Sequence, residues 1–101
     1  MKNYMLVYHV DSKIENTEEG TAAWGKWFAT LGENLVDGGN PFNPEAEAQV
    51  KEGVVTMDAD NVGGYSIIKA TDLKAAVTLA MACPLASAPD AYVKVYETMP
   101  M

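Results

Sequence analysis

Apolar positions along the chain fall into stretches with two different periods. Tyr4-Met-Leu-Val-Tyr-His-Val10 combines aromatic and β-branched residues between polar flanks, the pattern of a β-strand. Both of its sides are largely apolar, with Tyr4, Leu6, Tyr8 and Val10 on one and Met5, Val7 and His9 on the other. Such a strand expects cover on both faces. Asn16 or Thr17 then offers a helix N-cap, and Glu18 and Glu19 suit the positive end of a helix dipole. Ala23, Trp24, Trp27, Phe28, Leu31 and Leu35 follow at spacings of three and four. They form one stripe of an amphipathic helix, predicted to end near Leu35.

Asp37-Gly38-Gly39-Asn40-Pro41 is turn chemistry, prolonged by Pro44. Gln49-Val50-Lys51 and Val54-Val55-Thr56 flank Glu52-Gly53, a short hairpin signal. Tyr65 to Ala70 reads as a strand. Thr71 or Asp72 caps a second helix with Leu73, Ala76, Val77, Ala80 and Met81 as its expected buried stripe, stopped at Cys83-Pro84. Tyr92-Val-Lys-Val-Tyr-Glu97 alternates as a final strand. With no linker, repeat or low-complexity segment, residues 1–101 read as one domain.

The order β-α-(β)-β-α-β predicts an α+β fold, a ferredoxin-like split βαβ sandwich: an antiparallel sheet with two helices on one face. The second face then carries apolar members of the doubly apolar strands, a patch that monomers avoid exposing. Homodimerisation through the sheet faces is the simplest remedy.

Charge narrows the partners. Seven lysines against fourteen acids give −7, and arginine is absent. Nucleic-acid binding needs a basic stripe and usually arginines, so that class is excluded. The single cysteine, Cys83, forms no intrachain disulfide, and no Cys/His cluster has zinc spacing, so no metal or cofactor is expected. Asp58-Ala-Asp60-Asn61 departs from a calcium loop at Val62 and Lys69 and reads as an acidic turn. No window reaches the roughly 20 apolar residues of a membrane helix, and no signal peptide is recognisable. A cytoplasmic protein with no membrane partner is the expectation.

Four segments carry a resemblance. Lys2-Asn3-Tyr4-Met5-Leu6-Val7-Tyr8-His9, Trp24-Gly25-Lys26-Trp27-Phe28 and Leu35 to Pro41 are similar to the first half of YCII-related, DGPF-type domains. Gly64-Tyr65-Ser66-Ile67-Ile68-Lys69-Ala70-Thr71-Asp72-Leu73, continuing through Ala76 to Cys83-Pro84, resembles that family's most specific stretch. The resemblance implies a dimeric α/β barrel and, for some relatives, a histidine–aspartate pair acting on small molecules. This chain has no histidine in its first helix and no DGPF tetrapeptide, Thr56 to Asn61 standing in that place.

His9, the only histidine, is the one side chain whose ordinary titration range suits acid–base work near neutrality. Asp37 is its candidate carboxylate partner, and Tyr8 and Tyr65 are candidate ligand contacts, with Tyr92 and Tyr96 available to the same aromatic surface. Two functions follow: cofactor-free acid–base chemistry on a small organic compound beside His9, or a non-catalytic ligand-binding or assembly module in which His9 is structural.

Overall fold

The computed structural model describes residues 1–10, 18–43, 45–57 and 62–100. Strand β1 (Lys2–Val10) leads to helix α1 (Glu18–Leu31), a 3-10 turn (Gly32–Asn34) and strand β2 (Leu35–Asp37). A hairpin of β3 (Gln49–Lys51) and β4 (Val54–Thr56) follows, then β5 (Val62–Ala70), α2 (Leu73–Ala80) and β6 (Ala91–Glu97). The main sheet has the order β2-β5-β1-β6, antiparallel at each junction. This α+β arrangement is compatible with a ferredoxin-like fold. The candidate caps Asn16 and Thr17, and the acidic segment Asp58 to Asn61, lie outside the described residues.

Alternation in the central strands sorts the sheet into two faces. Tyr4, Leu6 and Tyr8 of β1 and Ser66, Ile68 and Ala70 of β5 are buried. All but Ser66 share one hydrophobic cluster with Trp27 and Leu31 of α1 and Ala76 and Ala80 of α2, so both helices cover the same face. The helices are tied directly, Trp27 Nε1 donating to the Leu79 carbonyl at 3.1 Å. Asp72 caps α2 through a 2.8 Å bond from the Ala75 amide, as its sequence position predicts.

Three expectations change. Helix α1 stops at Leu31, not near Leu35, because Gly32 takes φ +53, a conformation that ends a helix. Leu35 still reaches the core, but from strand β2. The expected α2 stripe is rotated: Leu73, Val77 and Met81 are exposed, while Ala76 and Ala80 face the sheet with Ala75 and Leu79 beside them. Small alanines let the helix sit close to the strands, and the bulkier residues at the neighbouring angle stay outside. Finally, Leu35–Asp37, read from sequence as helix end and turn, is edge strand β2 of the main sheet, while the expected hairpin forms and, among the described residues, β3 and β4 pair only with each other.

The protein is a slab of 40 × 39 × 20 Å, one sheet and one helix layer thick. Its radius of gyration is 14.5 Å, against about 12.7 Å for a compact chain of this length. Its accessible surface is 7400 Å², against roughly 5600 Å² for a compact monomer of its mass.

Candidate functional site

The helix-free face is built from the other parity of the same strands. Met5, Val7 and His9 of β1, Tyr65, Ile67 and Lys69 of β5, and Tyr92, Lys94 and Tyr96 of β6 project there. Tyr92 and Tyr96 are 46% and 49% exposed, although most of their neighbours on this face are apolar. No carboxylate projects from β1, β5 or β6 on this side. In a chain of net charge −7, the charged groups that β1, β5 and β6 place on this face are Lys69 and Lys94, beside the imidazole of His9, while Asp37 of edge strand β2 pairs with Ile67 and adds one carboxylate at the margin.

His9 stands one register step from the end of the sheet, directly opposite Tyr92. The two rings stack with centroids 4.6 Å apart and planes 5° apart. Direct cross-strand pairing brings their Cβ atoms close enough for this overlap. The ammonium of Lys94, two residues along the same face, lies 5.9 Å from the Tyr92 ring. His9 is half-buried, and neither ring nitrogen hydrogen-bonds a described residue. The result is a flat aromatic surface with an imidazole unpaired among the described residues and a cation beside it.

The structure does not bring His9 and Asp37 together. Asp37 pairs with Ile67, whereas His9 lies opposite Val62. Those positions are roughly 15 Å apart along β5, and two strand spacings of about 5 Å separate β2 from β1. The Asp37 carboxylate is already engaged, accepting the Gly39 amide at 2.8 Å. That bond closes the turn in which Gly39 adopts φ +72, and a Cβ there would sit 1.7 Å from the Tyr65 carbonyl oxygen. Asp37 is thus a turn residue holding the 37–41 segment against β5.

The two candidate ligand tyrosines lie on opposite faces. Tyr8 points into the helix layer, edge-on to Trp24 at 5.0 Å. Its hydroxyl donates to Ser66 Oγ at 2.7 Å, and Ser66 donates in turn to the Gly38 carbonyl at 2.7 Å. Burial raises the Tyr8 phenol above its ordinary value, partly offset by the Ser66 bond. Tyr65 is on the open face, its ring 5.9 Å from Phe42 and inclined by 26°.

Ser66 is the structural residue that sequence reasoning passed over. It sits at the buried parity of an otherwise apolar strand, which signals a polar group with a partner to satisfy. Cys83 is buried, and desolvation pushes its thiol up to about 11, away from the reactive range. Among the described residues no group of three His, Cys, Asp or Glu side chains is placed to hold a metal ion, and no helix is long and apolar enough to cross a membrane.

No protein-family model matches the chain, and no curated protein is significantly similar to it.

Proposed function

We propose that this chain is a homodimeric, non-catalytic binding module that holds a small planar organic molecule against the stacked His9–Tyr92 pair. The stack on the helix-free face, whose ring nitrogens hydrogen-bond no described residue, carries this reading. An aromatic plane offers sequence-tolerant stacking, an imidazole adds a directional hydrogen bond, and the Lys94 ammonium favours an anion. The ligand class is therefore an aromatic carboxylate or similar planar anion.

Dimerisation through the helix-free faces is the second half of the proposal. The surface of one chain exceeds that of a compact monomer by about 1800 Å², more than the roughly 800 Å² that each partner buries in a standard interface. A slab only 20 Å thick with its apolar face uncovered has an obvious place to lose that excess. The His9–Tyr92 pair, near the end of the sheet, would lie at the rim of such an interface. The β-strand order and the motif from Gly64 to Pro84 support placing the chain with the YCII-related domains.

Acid–base catalysis by His9 is the weaker alternative. A general base normally has a carboxylate or carbonyl fixing its second nitrogen, and Asp37 is committed to Gly39. Binding is tested by a thermal-shift screen of aromatic carboxylates and neutral aromatics, repeated on His9→Ala, Tyr92→Ala and Lys94→Met. Stabilisation by a carboxylate is expected to vanish in the first two variants and weaken in the third. A shift that survives His9→Ala and Tyr92→Ala unchanged would overturn the assignment.

A further inference from the structure

The hairpin Gln49–Thr56 has the side-chain pattern of a buried element and the exposure of a free one. Val50 and Val55 are direct cross-strand partners, so their side chains share one face of the hairpin. Met57 follows at the next alternate position. These three are 71%, 59% and 75% exposed. The opposite face carries Gln49, Lys51, Val54 and Thr56. Both strands are only three residues long, and a lone two-stranded hairpin is marginal in water. An amphipathic hairpin of this kind needs a surface for its apolar side.

Charge identifies that surface. Residues 45–57 carry Glu45, Glu47 and Glu52 against Lys51 alone. The helix-free sheet face is apolar too, but β5 and β6 place Lys69 and Lys94 on it, against one carboxylate, Asp37, at the edge strand β2, where it pairs with Ile67. An apolar hairpin flanked on its N-terminal side by Glu45 and Glu47, and an apolar face with Lys69 and Lys94 against Asp37, occur on one chain, and both are exposed. A two-fold axis makes such a pair self-complementary: the arm of each copy meets the face of the other.

We infer that the Gln49–Thr56 hairpin is a dimer arm that lies across the helix-free sheet face of a second copy of this chain. The inference rests on the dimer proposed above and adds the element that clasps it. Val50 and Val55 are the apolar anchors. Glu47 and Glu52 stand near the lysines of the partner's face.

Two measurements on the full chain test it. Val50→Lys with Val55→Lys changes only exposed side chains, so the far-UV circular dichroism should be unaltered. Sedimentation velocity should show dimerisation weakened roughly 30-fold or more, as for loss of interface anchors. Independently, Val55→Cys and Lys94→Cys proteins are mixed, equilibrated and treated with a short bifunctional maleimide; the buried Cys83 competes poorly. Covalent dimers should form preferentially between the two unlike variants. A wild-type dimer whose affinity is unchanged by the lysine pair, or whose cross-links join only like variants, would overturn the arm and leave the dimer standing. A wild-type chain that sediments as a folded monomer would overturn both.

Discussion

Removing the Ser66 hydroxyl should destabilise the protein out of proportion to its size. Ser66 is fully buried, accepts from Tyr8 and donates to the Gly38 carbonyl, both at 2.7 Å. In Ser66→Ala the Tyr8 hydroxyl loses its acceptor inside a desolvated layer, and the Gly38 carbonyl loses its donor. An orphaned buried polar group costs about 1–3 kcal/mol, so the two together should cost about 2–4 kcal/mol. Tyr8→Phe differs in kind. It removes the phenolic donor but leaves Ser66 bonded to Gly38 and the ring against Trp24, for a loss of about 0.5–1.5 kcal/mol. In the double variant no phenol remains to be orphaned, so the losses should fall short of additive by about 1–2 kcal/mol. Urea unfolding followed by Trp24 and Trp27 fluorescence, at one fixed protein concentration, reads all three. Equal losses for the two single variants, or strict additivity in the double, would refute the relay Tyr8–Ser66–Gly38.

Other substitutions probe the same structure. Gly39→Ala should destabilise by about 3 kcal/mol or more, since its Cβ would collide with the Tyr65 carbonyl at 1.7 Å. Gly25→Ala, in the interior of α1 with nothing within 4 Å, should instead stabilise by about 0.5–1 kcal/mol. Like signs in a thermal melt would contradict this pair. Asp72→Ala, which frees the Ala75 amide, should cost about 1 kcal/mol in the same melt. With the Cys83 thiol at about 11 when folded and 9 when unfolded, the folded chain keeps a proton that the unfolded chain releases. Stability is then full below pH 9 and falls by about 2–3 kcal/mol as pH rises towards 11, with Tyr8 adding to the loss above 10. Cys83→Ala should flatten the slope between pH 9 and 11 in urea titrations; an unchanged slope would contradict the burial argument.

The parts of the fold legible in the sequence were those whose pattern is satisfied within the chain. Strands β1, β5 and β6 announced themselves by composition and alternation, and the split between Tyr4-Leu6-Tyr8 and Met5-Val7-His9 follows from parity alone. Leu35 misled because a position four residues after Leu31 fits a helical stripe equally well, while the left-handed Gly32 that ends the helix leaves no unique mark. The α2 stripe was rotated because Leu73, Val77 and Met81 outweigh Ala76 and Ala80 in hydrophobicity, although close helix–sheet contact favours the small residues. For the site, His9 and Tyr92 were legible individually. Their stacking was not, because it depends on the β1–β6 register. Asp37 beside two glycines carried the signal of a turn, and its bond to Gly39 is what that signal means.

The central claim is that the helix-free face is covered by a second copy. Light scattering coupled to size exclusion at micromolar concentration tests it most directly. The account predicts a mass twice the 10.9 kDa of one chain, falling towards the single-chain value when Tyr96 is replaced by lysine. A particle of 10.9 kDa with native near-ultraviolet circular dichroism would contradict it.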